Sequence, residues 1–111
     1  MEITETKQNS VVVLALSGRL DGLTSGTLER KVTDCAAAGT NKIVFDCTKL
    51  VYVSSAGLRV FLTSAKKMKA AGGGAAFAAL TPAVNEVFEL SGFTGVLTVR
   101  ATEAEAITAL G

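Results

Sequence analysis

Apolar and polar positions divide this chain into alternating short β-type and longer helical segments. Residues 3–7 alternate, with Ile3, Glu5 and Lys7 against Thr4 and Thr6, a short-strand pattern that Asn9-Ser10 ends with a turn. The nearly continuous β-branched run Val11–Leu16 predicts a strand covered on both faces, paired with the first as a hairpin and ended by Gly18. From Thr24 to about Ala38 the period becomes helical. Leu28, Val32, Cys35 and Ala36 recur at i, i+4, i+7 and i+8, with Thr24 as N-cap and Gly39 just past the end. Lys42–Asp46 reads as a short buried strand, and Cys47–Val53 as an irregular connection with apolar residues of its own.

The clearest element is the next helix, where Leu58, Phe61, Leu62, Ala65 and Met68 form one apolar stripe. Lys66, Lys67 and Lys69 suit the negative end of its dipole, and Gly72-Gly73-Gly74 stops it. A small-residue strand, Ala75–Leu80, follows. Thr81-Pro82 opens a helix through Val84, Val87 and Phe88, which Ser91-Gly92 closes. Val96–Val99 reads as the last strand, and Thr102 with Glu105 as a capping box for a terminal helix. The order β-β-α-β-α-β-α-β-α implies an α/β fold, a mixed and mostly parallel sheet of about five strands with helices packed on it. Residues 1–111 read as one domain.

Composition narrows the chemistry. Of 111 residues, 49% are apolar and 19% charged, which suits a compact fold and argues against disorder. A net charge of +1 is too small for a nucleic-acid or membrane footprint, and no apolar run has the length of a bilayer span. The acidic, alternating N-terminus is the wrong chemistry for a signal peptide, so the expected location is cytoplasmic. The chain has no histidine, which closes the Ser-His-Asp and Cys-His nucleophile classes and leaves no cofactor or metal constellation to expect. Cys35 and Cys47 read as small buried apolar side chains. Gly72-Gly73-Gly74 follows a helix instead of opening one, so it is no phosphate loop. The expectation is a binding module, not an enzyme.

Ser54-Ser55-Ala56-Gly57-Leu58 is the site candidate, because it joins the end of a strand and loop to the start of the strongest helix. A hydroxyl there can cap the helix, and the positive end of the dipole favours an added anion. A phosphate would bring roughly −1.5 to −2 charges, which the free amides tolerate and a partner surface shaped for a hydroxyl does not. Gly57 removes side-chain bulk, either for tight packing or for the close approach of another chain to the serine. Asp21 either caps the turn before the first helix or belongs to the site. Asp46 reads as a turn-forming side chain, with a place beside the site as its alternative, and Tyr52 and Val53 as contacts leading into the serines.

Four stretches, Gly18-Arg19-Leu20-Asp21, Ile43–Asp46, Val51–Leu58 and Thr81–Phe93, fall in order along the chain. Together they resemble the STAS domain, the family of sulphate-transporter and anti-sigma-factor-antagonist domains, the first being similar to a family Gly-Glu-Leu-Asp. The resemblance covers essentially the whole chain. It implies a stand-alone anti-anti-sigma factor, which binds an anti-sigma factor serine kinase and so frees a sigma factor. Phosphorylation by that kinase ends the complex, and a PP2C-type phosphatase restores it. In the family motif Asp-Ser-Ser/Thr/Ala-Gly-Leu, the serine after the aspartate is the phosphoacceptor. Matched residue by residue it is Ser55, followed by Ala56, Gly57 and Leu58, while Asp21 matches an acidic residue near the acceptor. The motif's aspartate is Ser54 here, which removes a local negative charge and leaves Ser54 as the alternative acceptor. The resemblance also covers STAS adaptors that sit on a transporter ATPase or in a signalling complex without a phosphate cycle. The oligomeric expectation is a monomer, or a weak homodimer through the edge strand of the hairpin.

Overall fold

A computed structural model describes residues 1–111. Its strands are β1 (Glu2–Gln8), β2 (Val11–Leu20), β3 (Lys42–Val53), β4 (Gly74–Ala78) and β5 (Thr98–Arg100). Its helices are α1 (Ser25–Ala37), α2 (Ser55–Ala70), α3 (Pro82–Leu90) and α4 (Glu103–Ala109), with a 3-10 turn at Phe93–Gly95 before β5. The sheet runs β1-β2-β3-β4-β5. The β1–β2 hairpin is antiparallel and every other pair is parallel, as the alternation of strand and helix requires.

The two faces of the sheet carry different cores. Val12, Leu14 and Leu16 of β2, Ile43 and Phe45 of β3 and Phe77 of β4 point toward α1, α2 and α3. Val11, Val13, Val44, Ala76 and Ala78 point the other way, toward Ala106, Ile107 and Leu110 of α4. Both cysteines are free and buried, and burial pushes their thiols up, Cys47 far above the usual range. No helix is long and apolar enough to cross a membrane.

Four strand limits depart from the sequence pattern, the simplest being that of β4, which ends at Ala78 and not at Leu80. Gly18 does not end β2; it sits at φ +104° and the strand continues to Leu20. Cys47–Val53 is not an irregular connection but the second half of β3, paired with β2 through two register shifts. Each shift gives β3 one residue more than its neighbour. Cys47, Leu50 and Val53 are therefore buried, with exposed pairs between them. A spacing of three matches neither strand nor helix, so periodicity could not find it. β5 is shorter than expected because Phe93–Gly95 turns first.

Capping also differs in detail. Thr102 accepts from the Glu105 N–H at 3.1 Å as the capping pattern predicts, whereas Thr24 and Thr81 stand at helix starts without capping them. The Thr81 hydroxyl instead donates to the Leu50 carbonyl of bulged β3 at 2.8 Å.

Beside the α4 cap, the carboxyl of Glu103 lies near that of Asp46. Its interaction with Asp46, then burial, raises Glu103, while Asp46 is lowered because Thr48 and Glu103 outweigh the effect of its burial. Thr48 holds Asp46 through its hydroxyl at 2.6 Å and its N–H at 3.0 Å. A carboxyl raised by folding stabilises the fold at low pH, and that contribution is lost as pH rises through its folded pKa. The stability of the native chain relative to Glu103→Gln therefore falls as pH rises past the ordinary glutamate range and through the raised pKa of Glu103, by about a few tenths of a kcal/mol after solvent screening. Urea unfolding of both proteins across that rise checks the slope.

Candidate functional site

The carboxyl ends of β2 and β3 meet where α1 and α2 begin. The Ser54 N–H donates to the Leu20 carbonyl at 2.9 Å, which ties the loop after β3 to the loop after β2. This bond brings Asp21 and the serines, far apart in sequence, to one end of the sheet.

Ser54 is the N-cap of α2. Its backbone is extended, with φ −91° and ψ 174°, and its hydroxyl accepts from the Gly57 N–H at 3.2 Å. Ser55 is the first helical residue and its side chain is exposed, while Ser54 and Ala56 are half-buried. The Leu58 N–H closes on the Ser54 carbonyl at 2.9 Å. The N–H groups of Ser55 and Ala56 come too early in the helix to have an intrahelical acceptor. Arg59 is exposed at i+4 from Ser55, on the same side of the helix.

Gly57 and Leu58 face inward, so neither offers a surface to a partner. A Cβ on Gly57 would stand 2.8 Å from Leu20 Cγ and 2.9 Å from Val53 Cγ2. Of the two uses of this glycine, the structure has the internal one, in which α2 lies tightly on the ends of β2 and β3. Leu20 and Val53 are themselves buried and have little room to move. Overpacking costs about 1–3 kcal/mol, offset by up to about 1 kcal/mol of helix propensity. Gly57→Ala is thus expected to lower stability by about 1–2 kcal/mol in urea unfolding. A neutral result would mean that the start of α2 gives way easily.

Asp21 is a turn-former. Its Oδ1 accepts from the N–H groups of Leu23 at 3.0 Å and Thr24 at 3.2 Å, and its own N–H donates to Thr24 Oγ1 at 2.9 Å. The Leu23 N–H, ahead of the Thr24 groups and Arg19, holds its carboxyl below the usual range despite some burial. Its second oxygen stands 3.9 Å from Arg19 Nε. The guanidinium carbon of Arg19 stands over the Tyr52 ring, 4.1 Å from its centroid, a pair that sequence reading missed. Arg19 faces Tyr52 only because the second register shift of β3 falls between Gly18 and Arg19. Tyr52 is exposed, as a contact residue would be, but Val53 is buried. Asp46 lies in mid-sheet, where β3 still pairs with β4, away from this end.

The profile of the STAS domain matches residues 2–106. The chain belongs to the STAS domain family. BtrV of Bordetella bronchiseptica, a candidate anti-sigma factor antagonist, is 35% identical over 99 residues, 89% of this chain and 85% of BtrV. An anti-sigma factor antagonist from Mycobacterium paratuberculosis superposes with a TM-score of 0.88 at 23% identity, covering 98% of this chain and 92% of that one. The Bacillus cell fate determinant SpoIIAA in its phosphorylated form superposes with a TM-score of 0.75 at 23% identity, covering 99% and 100%. These two structures share the fold of this STAS chain. Its five-stranded mixed sheet and helix order are those expected from the sequence.

Proposed function

We propose that this STAS protein is a phosphorylation-controlled anti-sigma factor antagonist, acting by binding and catalysing no reaction of its own. In the cytoplasm it binds an anti-sigma factor serine kinase through the surface around Asp21, Ser54, Ser55 and Ala56, and so frees a sigma factor for transcription. The kinase transfers the γ-phosphoryl group of ATP to Ser55 and the complex separates. A PP2C-type phosphatase hydrolyses the ester and restores binding.

The observation that carries this reading is the contrast between the two serines. Ser54 is half-buried and its hydroxyl caps α2, whereas Ser55 is exposed one residue later. A phosphate on Ser55 would meet free first-turn N–H groups, the positive end of the helix dipole and Arg59 one turn on. The protein tolerates the charge and a docked partner does not. The similarity to BtrV supports the sigma-factor side of the reading.

Mass spectrometry after incubation with the native kinase and ATP tests the acceptor, with the phosphate expected on Ser55. A phosphopeptide modified only on Ser54 would overturn that assignment. Ser55→Asp separates this switch from a STAS adaptor without a phosphate cycle. It should abolish kinase binding in the first case and change little in the second.

A further inference from the structure

Next to Ser55 the surface carries a feature that the phosphate switch leaves unused. The second bulge of β3 turns Val51 and Tyr52 outward together, 57% and 38% exposed, between buried Leu50 and Val53. In the loop after β2, Leu23 is 93% exposed. Arg19 lies on the Tyr52 ring, and its ionic neighbour Asp21 reaches only Nε, at 3.9 Å. One oxygen of Asp21 is already committed to the N–H groups of Leu23 and Thr24.

A guanidinium centred over an aromatic face is held by the ring while its N–H donors, none of which is hydrogen-bonded within this chain, stay free for a partner. With Asp21 at Nε, both terminal nitrogens of Arg19 remain for an acceptor from outside. Two parallel N–H donors match the two oxygens of a carboxylate. The ring beneath it holds the arginine before any partner arrives, so little rotamer freedom is lost on binding. Arginine and tyrosine are also the side chains most often found as interface anchors, ringed by contacts that exclude water. Leu23, in the Asp21 turn, and Val51, next to Tyr52 on β3, are the exposed apolar side chains available for that role.

We propose that the Arg19–Tyr52 cation–π pair is the anchor by which this chain selects its anti-sigma factor, which presents a carboxylate to Arg19 within an apolar surround. The proposal rests on the partner-binding reading above and deepens it. Arg19 stands where the similar family stretch has glutamate, so the charge offered to a partner is reversed. A partner suited to an acidic side chain there would be repelled by this chain, and one with a carboxylate drawn to it.

The test uses the anti-sigma factor that the wild-type chain retains from its native cell extract, purified and titrated by calorimetry. Arg19→Glu and Tyr52→Ala should each weaken binding about thirty-fold or more, the range of anchor residues. Arg19→Gln, close in size and uncharged, should also weaken it, and should flatten the fall of affinity with added salt. Circular dichroism melts of all three variants control for folding, and Arg19→Gln is the variant least expected to disturb it. Changing the facing carboxylate of the partner to lysine should restore binding to Arg19→Glu. If folded Arg19→Glu and Tyr52→Ala bind like wild type while Ser55→Asp does not, the anchor is overturned and the switch stands. Tighter binding by Arg19→Glu would overturn the anchor as well. A wild-type chain that retains no anti-sigma factor would overturn the functional reading, and the anchor with it.

Discussion

Phe77→Ala is expected to cost about 3–5 kcal/mol, the range for emptying a buried phenylalanine site. Phe77 has no exposed surface and is the one large side chain of β4, whose other residues are glycine and alanine. Its ring stacks on Phe45 at 5.0 Å and meets Phe61 edge-on at 4.9 Å and Phe88 at 5.7 Å. Those three rings come from β3, α2 and α3, so the truncation loosens the sheet and two of its helices at once. Each aromatic contact adds about 0.5–1.5 kcal/mol to the burial itself. The small residues of β4 have nothing with which to fill the space. For a domain of this size each kcal/mol lowers Tm by about 4–8 °C, so the melting point should fall by about 15–30 °C. Since domains of this kind hold only about 5–15 kcal/mol in all, the variant should be marginal at body temperature. A loss under about 1 kcal/mol in urea unfolding would show that the four-ring cluster is not the centre of the fold.

Gly73→Ala should rank next. A Cβ there would stand 1.8 Å from the carbonyl oxygen of Asn41 and 2.6 Å from its carbonyl carbon. Both are backbone atoms, which no rotamer change can move. The same carbonyl accepts from the Gly74 N–H at 2.9 Å, and the Asn41 amide donates to the Ala71 carbonyl at 3.3 Å. Making room for a methyl group would pull the end of α2 away from the start of β3 and break the first pairing of β3 with β4, Lys42 with Gly74. The expected loss is about 2–4 kcal/mol. Gly72 is the control. It has open space at its Cβ position but φ +91°, so Gly72→Ala should cost only the left-handed backbone penalty, about 1–2 kcal/mol. Chemical denaturation of the two variants side by side tests the order, and Gly72→Ala proving the worse would refute the close-approach account. The three glycines look alike in sequence as a helix stop. In the structure one reverses the chain and the next admits a neighbouring backbone.

Features that depend on neighbours along the chain were legible in the sequence. The helical stripe of α2, the proline at the start of α3 and the strand–helix alternation each follow from a local period or a single residue's dihedral preference. They were enough to give the element order and the mixed, mostly parallel sheet, and to put Ser55 at the start of α2. What needed the fold is everything set by strand register. The two bulges of β3 exist only relative to β2, from which more than twenty residues separate it, so the three-residue burial spacing had no local signature. The same long-range register turns Gly57 onto Leu20 and Val53, and lays Arg19 on Tyr52. It also draws the Asp21 turn to the serines. The local pattern of this chain determines that a hydroxyl begins a helix; only the packing of that helix on two bulged strands decides which hydroxyl faces out and which side chains stand beside it.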